Sequence, residues 1–187
     1  MEISELIRKH LSTLAPRKLS NGYLREAAVL IPVFKEQGEY RMLLTRRTDE
    51  VETHKGQISF PGGMREDNEP LLDTALRETF EEVGVQRDKV EPLGRFHDYM
   101  SITRFRVTPF VGLVHTPFTT KRQVHEVAEI LHVPFSVFTD PENPRTMRHT
   151  YPGREMEVYS YPYGEHQIWG LTARIIKDFF EILNLEP

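Results

Sequence analysis

The stretch from Gly62 to Val85, GGMREDNEPLLDTALRETFEEVGV, leaves this chain few local choices. A glycine pair and a polar turn lead into Leu71, Leu72, Ala75, Leu76, Phe80 and Val83, whose helical spacing predicts a helix with a buried stripe. Pro70 suits the first helical position, where its missing N–H costs nothing, so Glu69 or Asn68 is the expected cap. Gly84 suits the left-handed residue just past the helix end. Glu78, Glu81 and Glu82 stand three and four residues apart, so they project from one side of that helix. Like charges at this spacing repel and weaken an isolated helix. A solvated acidic face is one reading. A bound divalent cation is the other, and it gives the repulsion a purpose.

Composition narrows the setting. The 187 residues suffice for one domain with a well-formed core or one domain with short terminal additions, and 28% charged with 39% hydrophobic residues is ordinary for a globular chain. A net charge of -4 and a pI near 6.1 argue against bulk nucleic-acid binding, while leaving room for a small anionic ligand in a local basic pocket. No cysteine is present, which removes disulfides, thiolate zinc sites and cysteine nucleophiles together. No apolar run reaches the roughly eighteen residues of a membrane span. Neither end carries a signal core or a simple lipidation address, so a cytoplasmic protein is expected.

In chain order, Ile3, Leu6, Ile7, Leu11 and Leu14 predict a short amphipathic helix that ends at Ala15-Pro16. Residues 1–22 are then a helix and connector packed on a domain spanning 23–187. Residues 27–34 read as a strand, EQGE as a turn and YRMLLTRR as the returning strand, followed by a polar loop over 48–56 and a short strand, QISF. After the acidic helix, 93–100, 106–115 and 128–133 read as strands, with one helical turn at 135–138. MRHTYPGREMEVYSYPY suits a hairpin turning at Pro152-Gly153. Leu171, Ile175, Ile176, Phe179, Phe180 and Leu183 predict a closing amphipathic helix. The expected class is α+β, an α/β/α sandwich with a mixed β-sheet between helices.

Gly63, Glu69 and the run Arg77-Glu78-Thr79-Phe80-Glu81-Glu82-Val83-Gly84-Val85 stand at the spacing of the Nudix box, and the chain resembles the Nudix hydrolases. Thr79 takes the place of a usual aliphatic residue. The segment LLTRRTDEVETHKGQISFPGG, 43–63, is similar to the extended signature of the coenzyme A pyrophosphatase branch. Leu43, Leu44, Thr45, Arg47, Gly56, Phe60, Pro61, Gly62 and Gly63 match it, Thr48 replaces a Ser or Ala, and Glu52 stands where that branch has an arginine.

The resemblance implies Mg²⁺ or Mn²⁺ held by Glu78, Glu81, Glu82 and the Gly63 carbonyl. It implies Arg77 orienting those carboxylates and Glu69 bracing the helix. The implied reaction is hydrolysis of the diphosphate bond of coenzyme A or its derivatives, giving adenosine 3′,5′-bisphosphate and 4′-phosphopantetheine. ADP-ribose or NADH hydrolysis is the alternative, and a non-catalytic nucleotide-binding module is a further one. Glu78 and Glu126 are both candidates for the base, with Glu129 next if the loop is shifted. Arg46, Arg47, His54 and Lys55 flank the box and are candidates for phosphate contact, solvent exposure being the alternative for some of them. His125-Glu126 is half of a zinc-protease motif whose second His is replaced by Glu129, so zinc is not expected there. Tyr99, Tyr161 and Trp169 are candidates for stacking on adenine or for the core. The expected partner is a small molecule, with no nucleic acid and no membrane, on a monomer or homodimer.

Overall fold

Alternation along two neighbouring strands divides the interior into two cores, and that division decides which side chains reach the acidic helix. The computed structural model describes residues 2–20, 25–48, 56–151 and 154–185. Strands β1 (Arg25–Glu36) and β2 (Glu39–Arg47) form a hairpin whose turn residues Gln37 and Gly38 have φ of 53° and 85°. That left-handed pair matches the twist of two strands joined by two residues. Ile31 and Val33 of β1 and Met42 and Leu44 of β2 face one core, whereas Ala28, Leu30, Phe34 and Leu43 face the other. This is the period of a strand buried on both sides.

The first core is covered by α1 (Ile3–Thr13), through Ile7 and Leu11, and by α4 (Gly170–Ile182), through Ile175, Ile176, Phe179 and Phe180. The second is covered by α2 (Leu71–Val83), through Ala75, Leu76 and Val83. Between them lies an eight-stranded sheet. Its path joins β3 (Ile58–Ser59), β2, β1, β7 (Phe105–Val114) and β5 (Val90–Arg95), with β1 and β7 parallel. Three further strands attach to it: β4 (Gly62–Met64) on β1, β6 (Tyr99–Met100) on β7 and β8 (Val127–Pro134) on β2. One short helix, α3 (Ser136–Thr139), precedes a separate antiparallel sheet of β9 (Arg145–Tyr151), β10 (Arg154–Tyr163) and β11 (His166–Trp169). The expected α+β sandwich with a mixed sheet is therefore present. No described helix is long and apolar enough to cross a membrane.

Several local expectations change. The strand expected over 93–100 is broken, because buried Asp98 accepts hydrogen bonds from Arg95 at 2.6 Å, Thr108 at 2.8 Å and the Leu19 N–H at 3.0 Å. Pro70 is the residue before the helix rather than its first residue, with ψ of 136°, and neither Glu69 nor Asn68 caps it. Phe80 is 47% exposed, whereas Thr79 and Glu82 are buried. The inward face of α2 is thus rotated toward the Gly62-Gly63 turn, and the Thr79 hydroxyl is satisfied by the Ala75 carbonyl at 2.6 Å. Strands β4 and β11 add to the expected set, and Pro152-Gly153 lies outside the described residues.

Candidate functional site

The site is built where the glycine pair passes beneath α2. β4 pairs with Ala27–Val29 of β1, so the turn is fixed to the centre of the sheet. At Gly62, φ is 155° and a Cβ would lie 2.6 Å from Val29 Cα. At Gly63 a Cβ would lie 2.6 Å from each carboxylate oxygen of Glu78. Only residues without side chains let sheet, turn and helix approach this closely. The result is a Glu78 carboxylate resting against the Gly63 backbone.

Arg77 organises the N-terminal side. Its Nε and Nη2 donate to the two carboxylate oxygens of Glu69 at 3.0 and 3.1 Å, and Nη2 also donates to the Met64 carbonyl at 3.1 Å. Nη1 donates to Glu78 at 2.8 Å and to Glu81 at 3.1 Å. Glu69 is further bonded by the Thr74 hydroxyl at 2.8 Å. Donation from Arg77 chiefly, with help from Thr74 and the Glu66 N–H, holds the Glu69 carboxyl down at about 2 despite its partial burial. The guanidinium itself is pushed up by Glu69 and then Glu78. This is a planar, bidentate pair that stays charged, and it aims two neighbouring carboxylates.

Glu82 has the opposite surroundings. It is 5% exposed, and the Gly62 N–H reaches its Oε2 at 3.3 Å. Burial pushes its carboxyl up to about 8; Gly62 and Arg47 oppose that rise, and the charges of Glu78 and Glu126 add to it. Burial likewise raises Glu78, against the pull of Arg77 and with the charges of Glu81 and Glu126 adding to the rise. Oxygen donors crowded together and incompletely neutralised suit a hard divalent cation such as Mg²⁺ or Mn²⁺. Among the described residues, His, Asp and Glu side chains form no ready-made cation cage of three or more. Arg77 meanwhile holds one oxygen each of Glu78 and Glu81. The donor set fits such an ion once those oxygens turn toward it.

Gly63, Glu69, Arg77, Glu78, Glu81 and Glu82 are thus brought together as the sequence suggested. Exposed Glu126, far along the chain, arrives close enough to act on Glu78 and Glu82, and Arg47 close enough to act on Glu82. Arg46 does not join them. It continues the Met42–Leu44 face of β2 and pairs with Glu129 at 3.3 Å, and Glu129 also meets His166 at 3.4 Å. Glu129, the alternative base, is therefore engaged on the far side of the sheet. His54, Lys55 and Glu52 lie outside the described residues. Tyr99 and Tyr161 are buried in the core and unavailable to stack on a base. Thr74 and the Met64 carbonyl were not anticipated, although Thr74 lies within one turn of Arg77 on the same helix.

A family model described as NUDIX domain matches residues 24–153. The uncharacterised Nudix hydrolase NudL of Photorhabdus laumondii is 38% identical over 162 residues, covering 86% of this chain and 86% of that one. The Yersinia pestis NudL is also 38% identical, over 86% of this chain and 81% of its own. Among solved structures, the MutT protein from Methanosarcina mazei superposes with a TM-score of 0.56 at 19% identity, covering 92% of this chain and 96% of that one. A MutT/nudix family protein from Enterococcus faecalis superposes with a TM-score of 0.54 at 17% identity, covering 97% and 69%. At such identities the structural likeness concerns the fold alone.

Proposed function

This chain belongs to the Nudix hydrolase family, and on that premise we propose that it hydrolyses the diphosphate bridge of coenzyme A or its acyl derivatives with Mg²⁺ or Mn²⁺. The observation that carries the reading is buried Glu82, a carboxylate raised to about 8 with one backbone N–H and the Arg47 charge to offset its burial. Such a group is stable with a proton or a cation beside it, and is costly otherwise. Glu78, Glu81, Glu82 and the Gly63 carbonyl are the donors that would hold the ion. When bound, it neutralises phosphate oxygens and makes water a stronger acid.

The chain's own residues do the rest. The Glu69–Arg77 pair keeps Glu78 and Glu81 aimed from α2. Glu126 is exposed beside them, and its carboxylate takes the proton from the attacking water. Arg47, on the α2 face of β2, binds a substrate phosphate. Breakage of the bridge leaves adenosine 3′,5′-bisphosphate and 4′-phosphopantetheine, or its acylated form.

Coenzyme A is favoured by the 43–63 signature. Most of its described positions serve the fold: Leu43, Leu44, Thr45 and Phe60 are buried, and the two glycines shape the turn. Substrate choice therefore falls to Arg47 and to the 49–55 segment. The test is product analysis on coenzyme A, an acyl-coenzyme A, ADP-ribose and NADH, each with Mg²⁺ and with Mn²⁺. Coenzyme A is expected to give the two products above. Cleavage of ADP-ribose or NADH with coenzyme A left intact overturns the substrate assignment.

A further inference from the structure

The segment 121–126, which delivers Glu126, is fastened at both ends to elements that carry site residues. At the helix end, the Lys121 N–H donates to the Val83 carbonyl at 2.8 Å and the Gln123 N–H donates to the Glu82 carbonyl at 3.0 Å. Gly84 admits this approach, since a Cβ there would lie 2.8 Å from the Lys121 nitrogen. At the strand end, one residue makes both attachments. The Thr48 N–H donates to the Glu126 carbonyl at 2.9 Å, and the Thr48 hydroxyl donates to the His125 carbonyl at 2.8 Å. Thr48 is itself buried and directly follows Arg47.

Two consecutive carbonyls held by one buried residue fix the peptide planes on either side of the Glu126 Cα. Gln123 braces the same turn from inside. Its side-chain oxygen accepts from the His125 N–H at 2.8 Å, and its carbonyl accepts from Glu126 at 3.2 Å and Val127 at 2.8 Å. With the backbone so held, the Glu126 carboxylate keeps only its side-chain torsions to search. Its charge already acts on both Glu78 and Glu82.

We propose that Thr48 is a positioning residue, which through the His125 and Glu126 carbonyls holds Glu126 in reach of the attacking water beside the α2 carboxylates. This rests on the hydrolase reading above, in which Glu126 takes the proton. In this chain the hydroxyl is the part to test, because an isosteric methyl would keep the packing and the N–H bond but release the His125 carbonyl. Misplacing a reacting group by about 1 Å costs up to about 100-fold in rate.

The experiment compares Thr48→Val, Thr48→Ser, Glu126→Gln and the Thr48→Val/Glu126→Gln double variant with the parent, using Mg²⁺ and whichever of the four substrates the parent cleaves best, and recording thermal unfolding for each. Glu126→Gln is expected to lower kcat about 100-fold. Thr48→Val is expected to lower kcat about tenfold with KM within about twofold, and Thr48→Ser to restore kcat to within about twofold. In the double variant, Thr48→Val should cost nothing beyond Glu126→Gln. An unchanged kcat in Thr48→Val, no rescue by Ser, or losses that multiply in the double variant each overturn the proposal. A Glu126→Gln protein with parental kcat also overturns it. A parent that cleaves none of the four substrates defeats the hydrolase reading first, and the proposal with it; a cleaving parent leaves the Thr48 result to stand alone.

Discussion

Two carboxylates within one short stretch, Glu69 and Glu82, are driven in opposite directions by their surroundings. Glu69 receives both nitrogens of an arginine fork, a hydroxyl and a backbone N–H, and its carboxyl is held at about 2. Glu82 receives one long N–H bond in a buried place and is raised to about 8. The first is a satisfied brace. The second is a buried carboxyl with little to offset an ionised form, so its charge is costly without a cation beside it. The difference separates what holds the helix from what the helix holds.

The largest effect is expected from replacing the buried carboxyl. Glu82→Gln should lower kcat on the order of 10³-fold, the several kcal/mol of phosphate stabilisation that an ion held there would supply. The metal-free protein should respond the other way. Because the folded carboxyl is raised above its unfolded value, the parent is stabilised at low pH and loses that stability as pH climbs from about 4.5 to about 8. Glu82→Gln should flatten that slope and be more stable at pH 8 by about 1–3 kcal/mol, measured by thermal unfolding in chelator. Parental slope in the variant would remove the contrast between the two glutamates.

Gly63→Ala tests the contact between the two regions. A methyl group would stand 2.6 Å from the Glu78 oxygens, so the carboxylate must swing away. We expect kcat to fall about 100-fold. Glu69→Gln should have a smaller catalytic effect, about tenfold, because Arg77 stays beside Glu78 and Glu81 but loses its fixed orientation. Its stability signature is the mirror of Glu82. The depressed carboxyl stabilises the fold above about pH 4.5, and that contribution disappears as pH falls toward about 2. The variant should therefore be less stable at neutral pH by about 1–3 kcal/mol and lose less on acidification.

How much of this was readable beforehand follows from range along the chain. The acidic helix, its Gly84 terminator and the bracing place of Glu69 are local or depend on a familiar spacing, so the sequence carried them, whereas the pairing of Glu69 with Arg77 is seen only in the structure. Glu126 was readable only as one of two loop carboxylates, because its delivery depends on bonds to Val83, Glu82 and Thr48. Phe80 was misassigned to the core because an apolar stripe does not reveal which edge a glycine turn will cover. There the turn covers Glu82, and the phenyl ring is left outside. Thr48 gave no signal beyond its place in the signature, since a hydroxyl that binds a distant carbonyl has no sequence period.

The pair Arg46-Arg47 makes the smallest but cleanest comparison. Adjacent residues of a strand face opposite sides, so both could not serve one site. Leu43 on the α2 core and Leu44 on the α4 core set the parity, Arg46 continues it against Glu129, and Arg47 lies on the α2 side, where its charge reaches Glu82. Arg47→Ala should raise KM for coenzyme A about tenfold, the loss expected for the proposed charge-assisted phosphate contact. Arg46→Ala removes a partly exposed ion pair and should leave kcat and KM within about twofold, with stability changed by about 1 kcal/mol or less. Steady-state kinetics on the two variants decide the matter. Equal losses from both would mean that the substrate reaches around the edge of the sheet, and that the two faces are not functionally separate.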